Sequence, residues 1–243
     1  MDSIESIAPE LLKNFKLDSK PISIERFGNG HINKTYEVKT EKGGHYILQV
    51  VNSYVFKDIE MLMNNIYYVS SYLLEHGAES LEIIKTKDEH LYYNYNEQYV
   101  RVYIYTPNTI CLEKPDLRVI REISEAYGDL HKNLAGIQIN KLGETIPDFH
   151  NTEKRFQNFL GALEVNFNDR KKKCQKEIED ILSYREYYST IIDALEKKEI
   201  SYTVTHNDPK INNVLFDKDT LKFRCVIDLD TVMPGSILYD FGD

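Results

Sequence analysis

His206-Asn207-Asp208-Pro209-Lys210-Ile211-Asn212-Asn213 is the stretch on which the reading of this 243-residue chain turns. It follows a short β-type run, Tyr202 to Thr205, and leads into another, Val214 to Phe216. The turn Asp217-Lys218-Asp219 separates that run from Phe223 to Asp228, so the two runs form a hairpin. Asp228 then stands at the tip of an apolar strand, Cys225-Val226-Ile227-Asp228, fifteen residues beyond Asn213. A polar loop is thus flanked by strands, and three oxygen-bearing side chains, at 208, 213 and 228, punctuate the loop and its hairpin.

Upstream, the chain divides by pattern. Ile22 to Phe27 alternates apolar and polar residues, Gly28-Asn29-Gly30 breaks the run, and Thr35 to Lys39 resumes it. Lys42-Gly43-Gly44 is a hairpin turn before the strand His45 to Val51. Phe56 to His76 has helical periodicity and Gly77 in the C-cap place. Leu81 to Thr86, His90 to Tyr95 and Gln98 to Tyr105 read as strands. Thr106-Pro107-Asn108 marks a break, after which helices dominate: Pro115 to Leu134, Phe156 to Phe167 and Cys174 to Lys198. The expectation is an α+β fold with a strand-rich unit over 1–105 and a mainly helical unit over 106–243.

Composition narrows the function. Hydrophobic residues make up 42% and charged residues 28%, which is ordinary for a globular protein. The net charge of −9 and the lack of a long basic run argue against nucleic acid or an anionic membrane as partner. Arg170 to Lys173 reads as a solvated corner between helices. Cys111, Cys174 and Cys225 are widely spaced with no CxxC pair, which argues against a disulfide framework or metal knuckle and fits a reducing compartment. Met1 to Lys20 lacks the apolar stretch of a signal peptide, and a cytoplasmic location is expected.

The loop and hairpin suit phosphoryl transfer from ATP. The triphosphate concentrates negative charge that metal ions must bridge. Mg²⁺ prefers hard oxygen ligands, one or two from the protein and the rest from phosphate and water. Asn213 and Asp228 are candidates for those ligands. Asp208 is the candidate to orient an attacking hydroxyl and take its proton, and Lys210 to neutralise the transferring phosphate. His-x-Asp-x-x-x-x-Asn is the spacing of a kinase catalytic loop, and the following hairpin with a strand-terminal Asp makes the match specific. The bland alternative is a polar turn in which Asp208 bonds Lys210 or a nearby amide.

These residues resemble the aminoglycoside phosphotransferase and choline kinase superfamily, whose fold is protein-kinase-like. Within it the chain looks most like N-acetylhexosamine 1-kinases. The likeness rests on Gly28-Asn29-Gly30-His31-Ile32-Asn33, Tyr46-Ile47-Leu48-Gln49, Glu144-Thr145-Ile146-Pro147-Asp148-Phe149-His150, and the run from His206 through Asp228-Leu229-Asp230 to Asp243. It implies that Asp208 is the base, that Asn213 and Asp228 hold Mg²⁺, and that Asp240 braces the catalytic loop. Asp228-Leu229-Asp230 stands where protein kinases have Asp-Phe-Gly, which makes Asp230 either a contact to metal or acceptor or a surface turn residue. It also implies two lobes, with adenine against Val102 to Tyr105, Tyr103 included, and phosphates under Gly28 and Gly30. Related kinases continue past this point, so the sequence reads as incomplete at its C-terminus.

Two features depart from the pattern. The glycine turn is not a full G-x-G-x-x-G. Gln49 occupies the strand position of a phosphate-pairing Lys, and an amide supplies no such Coulombic contact. Another cation, a different nucleotide pose or low affinity would follow. His31, Asn33, Asp148 and His150 are candidates to contact a sugar acceptor, with exposure on a turn or capping of a helix at Asn151 and Thr152 as the alternatives. The implied reaction makes a sugar 1-phosphate. A kinase for choline, homoserine or an aminoglycoside, or a degenerate chain that only binds nucleotide, are the rivals.

Overall fold

A computed structural model describes residues 4–28, 32–114 and 117–242. Its first half is built on an antiparallel sheet. The strands are β1 (Pro21–Arg26), β2 (Lys34–Thr40), β3 (His45–Val51), β4 (Ile83–Ile84), β5 (Tyr93–Tyr95) and β6 (Gln98–Ile104). Their order is β1-β2-β3-β6-β4, with β5 also paired to β6. Residue parity decides which face each side chain serves. Tyr36, Val38, Tyr46, Leu48, Val100 and Val102 pack on helix α1 (Ile4–Leu12) and Phe15. Ile47, Val51, Tyr99 and Tyr103 face the other way, toward helix α2 (Ile59–Glu75). Gln49 and Arg101 have the parity of that second face and are directly opposed in the β3·β6 register.

Helix α2 starts where expected for a chemical reason. Asp58 caps it, its Oδ1 accepting from Met61 N at 2.8 Å. It ends at His76 and Gly77, whose φ of 81° is the left-handed conformation a C-terminal glycine supplies. Its buried face joins the core of the second half, so one apolar cluster runs from Leu62 and Ile66 to Leu130, Phe216 and Leu229.

The second half contains β7 (Thr109–Ile110), α3 (Leu117–Leu134), α4 (Thr152–Val165), α5 (Gln175–Ser183), α6 (Thr190–Glu196), β8 (Thr203–Thr205), β9 (Val214–Asp217), β10 (Phe223–Val226), β11 (Met233–Gly235) and α7 (Ile237–Gly242). The expected hairpin is present as β9 and β10, extended by β7, while β8 pairs with β11. No helix among the described residues is long and apolar enough to cross a membrane.

Three expectations change. The helix over Cys174 to Lys198 is broken, because Tyr188 Oη donates to Ile181 O at 2.6 Å and takes a carbonyl that a continuing helix would use. Leu81 to Thr86 forms a named strand only at Ile83–Ile84, because its end turns to the N-terminal segment, with Lys85 O accepting from Lys16 N at 3.0 Å and Thr86 bridging Phe15. Helix α1 lies in the N-terminal stretch that reads as merely mixed; its Ala8, Leu11 and Leu12 are fully buried. Pro115, the expected first turn of α3, lies outside the described residues.

Candidate active site

The loop between β8 and β9 is held by its own backbone. His206 N and Asn207 N each donate to Asp240, at 2.7 Å to Oδ2 and Oδ1. Asn207 adopts a left-handed φ of 66°, which Asn tolerates. Its Nδ2 donates to Thr205 O and Thr231 O at 3.1 and 2.9 Å. The His206 side chain is 1% exposed. Its Nδ1 accepts from Asp208 N at 3.3 Å, so Nε2 carries the proton donated to Ile227 O at 3.0 Å. Burial pushes its pKa down, consistent with a neutral ring. Burial alone would raise the Asp240 carboxyl, but His131, 2.9 Å away, and the two backbone amides hold it below the usual carboxylate range. Asp240 therefore braces the loop as the resemblance implies.

Three candidate residues meet at the loop's far end. Asn213 Nδ2 donates to Asp208 O at 2.9 Å and to Asp208 Oδ2 at 3.2 Å. Lys210 Nζ pairs with the same Oδ2. Ile227 N donates to Asn213 O at 2.8 Å, which seats Asp228 beside Asn213. With its nitrogen committed to Asp208, the Asn213 amide turns its oxygen the other way, and no donor among the described residues bonds it. The Asp228 carboxyl is pushed up to about 6, first by burial and then by Asp230, against the pull of Arg101 and Lys210. No hydrogen bond to that carboxylate occurs among the described residues. A half-buried carboxylate without a donor, next to a free amide oxygen, is a donor set that a hard cation fits. No group of three or more His, Cys, Asp or Glu among the described residues preforms a metal site, so phosphate oxygens would complete the shell.

A second network occupies the α2-facing side of the sheet. Arg101 is 1% exposed. Its Nε and Nη2 donate to Gln49 Oε1 at 3.0 and 2.9 Å, and Nη2 pairs with Asp230 Oδ1 at 2.6 Å. Burial works against its charge, but Asp230 more than restores it, so its pKa lies above the ordinary value. Asn33 Nδ2 donates to Asp230 Oδ2 at 2.7 Å, and Asn33 Oδ1 accepts from Asn52 N at 3.0 Å. Asp230 is therefore neither a surface turn residue nor an open ligand: both oxygens are engaged. Sequence reasoning missed Arg101. The signal was a guanidinium inside the apolar run Val100-Arg101-Val102-Tyr103, where a buried partner is obligatory.

The remaining candidates are placed less centrally. The Tyr103 ring is in the core, 5.2 Å from the Arg101 guanidinium, and its residue pairs with Ile47 and Ile83 on the flanking strands. Tyr105, beyond it, is half-buried, stacked on His45 at 3.7 Å with Phe27 edge-on at 6.1 Å. Gly28 has φ 68° in the turn after β1, while Gly30 and His31 lie outside the described residues. His150 Nε2 bonds Asn207 O at 3.0 Å and its ring stacks on Tyr239 at 4.8 Å, so it supports the loop. Asp148 Oδ1 accepts from Asn151 Nδ2 at 3.2 Å, and Asn151 caps α4. The capping alternative thus holds at Asn151.

A sequence profile described as the phosphotransferase enzyme family matches residues 23–243. The chain belongs to that family. Solved structures agree on its fold. An amicoumacin kinase in complex with AMP-PNP, Ca²⁺ and Ami superposes with a TM-score of 0.65 at 16% identity, covering 99% of this chain and 67% of that one. A microcompartment-associated aminopropanol kinase gives 0.61 at 17%, covering 98% and 73%. An aminoglycoside phosphotransferase from Alicyclobacillus acidocaldarius gives 0.59 at 14%, covering 95% and 68%. Identities this low speak for the fold, and the phosphotransferase has the expected α+β, protein-kinase-like architecture.

Proposed function

We propose that this chain is an ATP-dependent small-molecule kinase that passes the γ-phosphate to the anomeric hydroxyl of an N-acetylhexosamine. The observation that carries the kinase reading is the clamp between loop and hairpin. Asn213 bonds Asp208 through its nitrogen and Ile227 through its carbonyl, so the carboxylates at 208 and 228 flank one amide. In this reading the N-terminal unit to residue 105 and the unit from 106 are the two lobes, with the nucleotide between them. When bound with ATP, Mg²⁺ would supply positive charge against the phosphate tail. The Asn213 amide oxygen and the Asp228 carboxylate are the protein oxygens offered to it. Asp208 orients the acceptor hydroxyl and receives its proton. Lys210, half exposed at the rim, meets the charge on the transferring phosphate. The three free cysteines suit a reducing, cytoplasmic setting.

The sugar rests on the likeness of the quoted stretches to N-acetylhexosamine 1-kinases. A second reading, an amine-bearing alcohol as acceptor, is favoured by the fold's likeness to structures described as an aminopropanol kinase and a spectinomycin phosphotransferase. The test is ADP release against a panel of N-acetylhexosamines, aminopropanol, choline and aminoglycosides. N-acetylhexosamine-dependent turnover that falls about 10²–10⁴-fold in Asp208→Asn supports the first reading. Turnover only with an amine-bearing acceptor selects the second, and nucleotide binding with no turnover on any acceptor contradicts both.

A further inference from the structure

In kinases of this general type, a strand lysine paired with a helix glutamate and the metal-binding aspartate must both be in place for transfer. Here β3 carries Gln49 at the lysine's position, and the α2 side chain that reaches the spot is Met63, its Sδ 3.8 Å from Arg101 Nη1. The cation has moved one strand over, to Arg101, and its carboxylate partner has moved from the helix to Asp230. That relocation changes what the ion pair fastens. A strand–helix pair ties the sheet to α2; the pair seen here ties the sheet to the turn that begins at Asp228.

The attachment is made by several strands at once. Arg101 on β6 is locked by Gln49 on β3, and Gln49 Nε2 in turn donates to Thr35 Oγ1 on β2 at 3.1 Å. Asn33, just before β2, holds the other Asp230 oxygen, and Thr145 Oγ1 donates to the Asp230 carbonyl at 2.9 Å. The turn needs such restraint. Asp228 sits at φ 60°, the left-handed region that few non-glycine residues occupy. A buried ion pair is close to neutral for stability relative to apolar replacements, whereas the planar fork of an arginine is directional. Its natural effect is on conformation.

We propose that Arg101 is a positioning residue for the metal-binding aspartate: its buried pair with Asp230 anchors the Asp228–Thr231 turn to the N-terminal sheet and aims the Asp228 carboxylate at the cation. This rests on the assignment of Asp228 as a metal ligand. Arg101 itself, enclosed by Gln49, Met63, Tyr103 and Asp230, does not touch the metal.

The test is Mn²⁺ binding followed by electron paramagnetic resonance in the presence of AMP-PNP, with metal-free AMP-PNP binding measured in EDTA. Arg101→Met alone strands a buried carboxylate, so the informative variant is Arg101→Met with Asp230→Asn, which removes both charges and keeps an acceptor for Asn33. Mn²⁺ affinity is expected to fall about 10–100-fold, as for loss of an outer-shell partner, with metal-free AMP-PNP affinity unchanged within about twofold. Arg101→Lys, a point charge in place of a fork, is expected to lie between wild type and the double variant. Wild-type Mn²⁺ affinity in the folded double variant overturns the proposal, and so does an equal loss of metal-free nucleotide binding, which would mean direct phosphate contact. If the double variant does not fold, Arg101→Lys decides alone, and wild-type affinity there overturns it. Failure of the underlying reading is distinct: wild type itself would bind no Mn²⁺ with AMP-PNP, or Asp228→Asn would bind it undiminished.

Discussion

The loop between β8 and β9 with its hairpin and the α2-facing side of the N-terminal sheet solve the same electrostatic problem in different ways. Between 206 and 228 the polar groups are close in sequence, and the backbone does the holding. His206, Asn207 and Asn213 bond main-chain atoms, leaving Asp228 and the Asn213 oxygen free. On the sheet, Asn33, Gln49, Arg101 and Asp230 come from four distant segments and satisfy one another. The first region offers unsatisfied oxygens; the second offers none. Chemistry is therefore assigned to the loop, and the sheet network is read as support for it.

The sharpest way to break that division is to remove one group from each side. Asp208→Asn is expected to lower turnover by about 10²–10⁴-fold with the fold intact, as seen by an unchanged thermal midpoint. Arg101→Met is expected to act on stability as well. It leaves Asp230 buried and unpaired, at a cost of about 3–5 kcal/mol in denaturant unfolding. Equal destabilisation by both substitutions would erase the distinction.

The same contrast explains what was legible in the sequence. Asp208, Asn213 and Asp228 were readable because their spacing is fixed by a loop and a hairpin, both local features. The β1–β3 and β6 strands and α2 were readable from alternation, from helical periodicity and from Gly77 in its capping place. Arg101 was not, because its meaning depends on a register with Gln49 and a contact with Asp230 that lie far apart in the chain. Asp230 was misjudged for the same reason. Helix α1 was missed because nine residues carry too short a pattern, and its burial comes from a sheet that folds later in the sequence. At Asp148 and His150 the structure adds bonds to Asn151 and Asn207 that spacing does not encode.

Acidity sharpens the comparison further. The Asp228 carboxyl titrates near 6 in the folded chain against 3.8 for the free group, so the folded state binds that proton more tightly. Between those values its contribution to stability decreases as pH rises, by at most about 3 kcal/mol, and nothing is lost further above 6. Asp228→Asn is expected to be more stable than wild type at pH 7 and to lose most of that advantage at pH 4, in nucleotide-free chemical denaturation. A pH-independent difference would mean that Asp228 is solvated and not held in reserve for a cation.

Asp240→Asn probes the brace. It replaces one charge-assisted acceptor of the His206 and Asn207 amides by a group that must turn a donor toward one of them. The expected loss is about 1.5–3 kcal/mol of stability, with a drop in turnover but retained nucleotide binding. Unchanged turnover would show that the loop keeps its shape without the brace.

In the proposed site, Asp228 and Asn213 share one cation while Asp208 faces the phosphate to be transferred. A crystal structure with Mn²⁺ and AMP-PNP, with the metal located by its anomalous signal, tests this most directly. The account predicts manganese bonded to the Asp228 carboxylate and the Asn213 amide oxygen, with the γ-phosphate between it and Asp208. Manganese bound away from residues 213 and 228, or a γ-phosphate on the far side of the sheet from Asp208, would contradict it.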